Sequence, residues 1–245
     1  DRVLRQAMGY ALNMDQLSKK FDDGLYYRAN TVVPDAFGKY NDHKAKGYTL
    51  DLKKANKLLD KAGYKLQKNG YRTLPNGKKF SLKLLSEGGN SSDERAMIQN
   101  YLEQWKKIGV KVELKDGRLQ EFNSYIEQLV NDGKGFDVWL SNWAVPMPPT
   151  TSVAGNYMPS DPYNFAHFVT KENTELIESL SSKKAFNDKY QLKQFYKWQE
   201  YMNKEAYIVP RQFRYSTYVF SKKLTNISLK PKESYNLWEN IAFTK

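Results

Sequence analysis

The sequence predicts an α/β fold in which a mixed sheet is flanked by helices, and three observations carry that prediction. From Leu52 to Leu140, apolar runs with helical period alternate with short runs of period two. Turn and stop signals fall between them, at Gly63, Asn69-Gly70, Pro75-Asn76-Gly77 and Gly109. The third is the stretch Gly135 to Pro146, a strand pattern that runs into an aromatic and stops at prolines.

Taken in order, Val3, Leu4, Ala7, Met8 and Ala11 share one helical face, and Asn13 is placed to cap a second helix carrying Leu17 and Phe21. Periodicity is absent from Asp22 to Gly47, which predicts an extended surface loop anchored by Tyr26, Tyr27, Phe37 and Tyr40. Asp51 caps the next helix, with Leu52, Ala55, Leu58, Leu59 and Ala62 on one stripe, and Gly63 ends it where a left-handed residue is wanted. The two turn signals then flank a hairpin, after which Phe80, Leu82 and Leu84 alternate as a strand. Ser91 and Glu94 have capping-box spacing ahead of a helix running from Met97 to Ile108. Val110, Val112 and Leu114 form a strand, and Phe122 to Leu129 a helix closed by Asp132-Gly133. The central strand follows, then a polar loop from Thr150 to Asp161 with no period. Leu176, Ile177 and Leu180 mark a short helix, and a longer one after Asn187 carries Leu192, Phe195, Trp198 and Met202. Two extended segments, Tyr207 to Pro210 and Tyr215 to Phe220, lead to a tail from Lys222 without a helix.

Composition narrows the function. The chain has 245 residues, a net charge of +12, 14% aromatic residues and no cysteine. Disulfides and thiolate metal sites are excluded, and no apolar run is long enough to span a membrane as a helix. Residue 1 is Asp, and Asp1-Arg2-Val3 already opens a helix, which predicts a piece of a longer protein. The charge suits an acidic partner such as a membrane surface or a cell-wall polymer. The lysines are spread over the amphipathic helices, Lys53-Lys54 and Lys106-Lys107 among them, so no nucleic-acid partner is expected.

Catalytic chemistry is sparse. The two histidines, His43 and His167, lie in unrelated loops, and no zincin, nucleophile-elbow, P-loop or dinucleotide pattern occurs. Asp22-Asp23 and Asp93-Glu94 are adjacent in sequence and make no acid–base dyad. The sequence predicts no enzyme, no catalytic residue, no cofactor and no metal ligand set.

Several motifs together resemble a known family. Val3-Leu4-Arg5-Gln6-Ala7-Met8-Gly9-Tyr10-Ala11-Leu12-Asn13 is similar to the "VRQAIAYAID" helix of the extracytoplasmic solute-binding proteins, family 5, which serve oligopeptide ABC importers. Leu52 to Tyr64 resembles "KAKxLLxEAGY", Ile98 to Leu114 "iQxxLxxIGIkVel", Phe136 to Trp143 "yDvxlxgW", and Ile208-Val209-Pro210 "xIVPly". The order is the family's order across essentially the whole chain.

The resemblance implies a type II periplasmic-binding-protein-like lobe. Residues 1–214 would be the second ligand-binding lobe, and residues 215–245 a tail returning towards a first lobe absent here. An extended oligopeptide would lie between the lobes, its backbone paired with protein strands and its side chains in wet pockets. Trp143 matches the family's ligand-contacting tryptophan, with Asn142 and Ala144 offering backbone groups beside it. Trp139 and Ser141 share its strand face, and Tyr157, Asp161 and His167 belong to the following loop as further ligand candidates. Where several members carry an aspartate that pairs with the peptide's amino terminus, this chain has Pro146, and Asp161 is the candidate replacement. The same resemblance implies a monomer docking on a membrane permease, lipid-anchored outside a Gram-positive cell. Two alternatives stand beside it: another solute on the same fold, an oligosaccharide or metal chelate, and a basic adhesion or nucleic-acid-binding module.

Overall fold

Local signals start and stop most of the helices. In the computed structural model, which describes residues 1–21, 24–88, 92–130, 134–227 and 238–244, α1 (Arg2–Tyr10) begins where the Asp1 carboxylate accepts from Leu4 N at 3.1 Å. Asn13 caps α2 (Met14–Phe21) by accepting from Gln16 N at 3.2 Å. Asp51 does the same for α3 (Leu52–Lys61) at 2.7 Å, and Gly63 leaves that helix at φ +88°. Between α2 and α3, the short strand β1 (Tyr26–Arg28) precedes a 3₁₀ turn at Asp35–Tyr40.

The central sheet comes next. β2 (Leu82–Leu85) is followed by α4 (Ser92–Lys106), β3 (Val112–Leu114), α5 (Phe122–Val130) and β4 (Val138–Trp139). The strand order is β3-β2-β4 and every pairing is parallel, with Leu82 opposite Val112 and Leu84 opposite Val138. Parallel neighbours need crossover helices, which α4 and α5 provide. The chain then forms α6 (Pro149–Gly155), α7 (Lys171–Ser179), α8 (Asp188–Glu205) and β5 (Gln212–Arg214), and after them β6 (Leu224–Thr225) and β7 (Ala242–Phe243). β1–β5 and β6–β7 are antiparallel pairs, so the α/β fold combines parallel and antiparallel sheets.

Apolar side chains collect in two main cores. The first joins α1 to α4 with the sheet, around Leu59, Leu84, Tyr101 and Ile108, all fully buried. The second packs α6, α7 and α8 around Trp198, Phe195, Phe168 and Met202. A small third cluster, Leu85, Tyr125 and Leu129, seats α5 on the sheet.

Three expectations change. Residues 150–161 are not all loop: Pro149, read as a breaker, opens α6, because proline at a first turn lacks only an N–H that has no partner there anyway. Val153 and Ala154 of that helix are buried. The segment before Gly47 is not confined to the surface, since Ala29, Val32 and Val33 are core residues. Buried amides of α8 hold it: Gln199 takes Thr31 Oγ1 at 2.7 Å and gives to Tyr40 O at 2.9 Å, and Asn203 gives to Asn30 O at 2.7 Å. The hairpin at 66–79 is reduced to single bridges, Leu66 with Arg72 and Thr73 with Lys79. Asp22-Asp23, Ser91 and Asp132-Gly133 lie outside the described residues.

Candidate functional site

β4 is a sheet edge, and it is brief. Its last ladder bond, Leu140 N to Leu85 O at 3.1 Å, is followed by a segment with no regular secondary structure and no partner strand. Asp137 fixes the strand's start, its N–H giving to Lys83 O at 2.9 Å and its carboxylate accepting from Lys83 N at 2.8 Å. Tyr125 Oη donates to Leu140 O at 2.7 Å, and burial pushes that hydroxyl's pKa up. Beyond this point, no backbone N–H from Ser141 to Met147 has a partner among the described residues. Ser152 Oγ donates to Pro146 O and Pro148 O at 3.2 and 2.8 Å, which ties the proline run to α6.

A cavity of about 260 Å³ opens beside this extension. Met8 and Gly9 of α1, with Leu12 just after it, form one wall, and Trp105 donates from Nε1 to Met8 O at 3.1 Å. Trp139, Leu140 and Ser141 form the second wall. Val153, Asn156 and Tyr157 of the α6 end, with Tyr163 and Phe165, close the third, and Tyr207 to Val209 with Arg211 the fourth. Trp143 stands at the mouth, 50% exposed, its ring edge-on to Tyr163 at 5.3 Å and to Phe165 at 6.4 Å. With the Asn156 carboxamide oriented by its neighbours, Trp143 Nε1 donates to its oxygen at 3.3 Å.

The lining is apolar and aromatic, with its charges already engaged. Arg5 Nε and Nη2 donate to Glu205 O at 3.1 and 2.8 Å, and its guanidinium lies 3.9 Å from the centre of the Tyr207 ring. Arg211 Nη1 donates to Tyr101 Oη at 2.5 Å, and its Nη2 reaches Ser141 O at 3.4 Å. Tyr157 packs on Trp198 at 5.6 Å, and burial pushes its hydroxyl pKa up to about 12. Among the described residues no group of three or more metal-ligating side chains converges.

Of the sequence candidates, Trp139, Ser141, Trp143 and Tyr157 line the cavity. Asn142 and Ala144 are exposed on the extension beside it. Asp161 is outside the lining, where its carboxylate accepts from Tyr163 N at 2.8 Å. His167 is also outside it, exposed at φ +46° with its N–H on Asn164 O. Sequence reasoning missed the α1 wall, Trp105 and Arg211. Those positions carry only core or surface signals, and tertiary packing alone brings them together.

Residues 1–165 match the bacterial extracellular solute-binding proteins, family 5 Middle. The chain belongs to this family. This family 5 chain is 40% identical over 232 residues to the oligopeptide-binding protein OppA of Lactococcus lactis subsp. cremoris (strain SK11), covering 94% of the chain and 38% of that relative. OppA of Lactococcus lactis subsp. lactis is 38% identical over 245 residues, 40% of its own length, so the chain spans about two-fifths of these curated relatives. Among solved structures, lactococcal OppA complexed with an endogenous peptide in the closed conformation superposes with TM-score 0.85 at 36% identity, over 99% of this chain and 45% of that one. AppA of Bacillus subtilis in complex with a nonapeptide gives 0.77 at 20% identity over 100% and 48%, a likeness of fold alone. The family 5 chain is thus an α/β, type II periplasmic-binding-protein-like solute-binding chain of an extracellular family, not an enzyme.

Proposed function

We propose that this chain is the ligand-holding part of the oligopeptide-binding component of an ABC importer. The observation that carries the reading is the unpaired extension from Ser141 to Met147, whose backbone N–H groups have no partner among the described residues, beside an aromatic cavity. Free strand backbone recognises any peptide by main-chain pairing, and a neighbouring pocket accepts a side chain. At about 260 Å³ the cavity is below the roughly 300–1,000 Å³ of sites that enclose a whole small ligand. It takes a side chain, and the rest of an extended ligand lies along the extension. In this reading Trp143 closes over the ligand, Trp139, Ser141 and Tyr157 shape the pocket, and Asn142 and Ala144 offer backbone groups. Asp161 and His167 act only if a longer ligand reaches the 157–167 loop.

Residues 1–214 are read as one lobe, with 215–245 returning to a partner lobe. Support comes from the exposed apolar side chains that follow β5, Tyr218 at 63% and Val219 at 95%. A membrane permease as docking partner, a monomeric state and a lipid anchor belong to the same reading, which the lactococcal OppA relatives favour.

The test is mass spectrometry of small molecules released from the gently purified full-length protein. A heterogeneous ladder of peptides is expected. A single sugar or metal chelate would refute the reading, as would an empty protein that gives no heat when titrated with a mixed peptide pool.

A further inference from the structure

The lysines that look scattered in sequence are gathered by the fold at one end of the molecule. α3 presents Lys53, Lys57 and Lys61 outward, all exposed. The turns that follow add Lys65, Lys68, Lys78 and Lys79, also exposed. The end of α4 contributes Lys106 and Lys107. None of these nine ammonium groups has a carboxylate partner among the described residues.

One buried residue makes these segments a unit. Arg72, its side chain 2% exposed, donates to Asp60 at 2.6 Å, Asn56 Oδ1 at 2.9 Å, Ile108 O at 2.9 Å and Tyr64 O. Its backbone N–H adds Gly109 O at 2.7 Å, so α3, the turns and the α4–β3 junction are clamped together. The nearby acids do little to neutralise the surface. Asp60 serves Arg72, Asp51 caps α3, and Glu103 sits one turn before Lys106 and Lys107.

We infer that this lysine pole is a docking surface for an anionic lipid bilayer. Its charges are all lysines, which suit a diffuse field of headgroups, whereas bidentate phosphate recognition and base readout favour arginine. Stacking platforms for single-stranded nucleic acid need exposed aromatic rings, and the exposed apolar residue here is Leu66, 58% exposed between Lys65 and Lys68. An exposed aliphatic side chain flanked in sequence by long lysines is the composition of a membrane-interface contact. The position also fits. The turns enter at the amino-terminal end of β2, while the ligand cavity lies at the carboxyl end of the parallel β4, and none of the nine lysines lines it. Docked by this pole, the protein leaves its cavity uncovered by lipid.

The experiment is cosedimentation of the full-length protein, in water-soluble form, with phosphatidylcholine vesicles with and without about one-third phosphatidylglycerol. Binding is expected only to the anionic vesicles, falling steeply with salt. The variant K53Q/K57Q/K61Q/K65Q should weaken it at least about fiftyfold, since each lysine near an anionic surface contributes on the order of fivefold. The control K183Q/K189Q/K193Q/K197Q removes equal charge around and along α8 and should cost less than about fivefold. Equal losses in both variants, no loss in the first, or equal binding to neutral vesicles would each overturn the inference. Tighter binding to duplex DNA than to vesicles at the same salt would overturn the lipid assignment. Unchanged circular-dichroism melts establish that the variants are folded.

Discussion

Replacing Trp143 by alanine separates a ligand contact from a structural plug. A fully covered tryptophan removes roughly 150–250 Å² from water. With half of the residue exposed at the cavity mouth, about 100 Å² remains for a ligand to cover. At about 25 cal/mol per Å² that area is worth about 2.5 kcal/mol, or about seventyfold in Kd. The covered half, with its edges towards Tyr163 and Phe165 and its bond to Asn156, sets a separate loss of folding free energy of about 2–4 kcal/mol. Isothermal titration of the full-length variant with a peptide recovered from the wild-type protein reads the first quantity, and urea unfolding the second. W143F keeps a ring at the same place and should recover most of the affinity while losing the bond to Asn156. An alanine variant whose Kd stays within about threefold of the parent, with stability down by the expected amount, would refute the role of Trp143 as a ligand contact.

Other residues give sharper tests of the fold. R72M should cost about 3–5 kcal/mol in urea unfolding, because it strips a buried cation from the Tyr64 and Ile108 carbonyls and from Asn56; a loss under about 1 kcal/mol would show that the clamp carries little. G109A should cost at least about 2 kcal/mol, since φ is +77° and the new Cβ would lie 2.8 Å from Leu66 Cδ1 and 2.9 Å from Arg72 Cγ. G70A, at φ +82° with open space around it, should cost only about 1 kcal/mol; equal losses would mean that the close packing at Gly109 does not matter. Tyr157 predicts an alkaline limb. Its hydroxyl goes from an ordinary 10.0 to about 12 in the folded protein, so the stability it contributes is fully present below pH 10.0 and is lost as pH rises towards 12. Other buried tyrosines such as Tyr48 and Tyr125 are shifted the same way, so Y157F should make that limb shallower without abolishing it, followed by denaturant midpoints across the range, and an unchanged slope would show that Tyr157 contributes nothing to it.

Much of this fold was legible because it is written in local rules. Asn13, Asp51 and Asn187 each cap the helix their position announced, and Leu82, Leu84, Val112 and Leu114 take their places in neighbouring strands. The errors share a cause. Pro149 has two physical meanings, stop and first turn, and only the burial of Val153 and Ala154 against α8 selects the second. Val32 and Val33 have no period to betray their burial, because amide bonds from Gln199 and Asn203, more than 150 residues away, draw that segment inward. For the candidate site, the strand and its tryptophan were visible as a pattern, whereas Arg5, Trp105 and Arg211 meet only through tertiary packing.

The two arginines show why the cavity and the fold are one thermodynamic object. Arg5 ties α1, part of the first core, to the Glu205 carbonyl at the end of α8, part of the second. Arg211 ties the segment leaving the second core to Tyr101 of α4 and to Ser141 beyond β4. Between these ties runs Tyr207 to Val209, which is itself a cavity wall. Parting the cores therefore means breaking the ties that frame the cavity and exposing its aromatic lining to water. If a ligand that fills the cavity needs both ties in place, mass action would stabilise the two cores together. Both guanidiniums are committed to carbonyl, hydroxyl and ring partners, so they serve to hold the walls in place. Under the proposed function, recognition of a peptide would fall to the free backbone of Ser141 to Met147 and to the shape of the pocket, an arrangement expected to discriminate weakly between sequences.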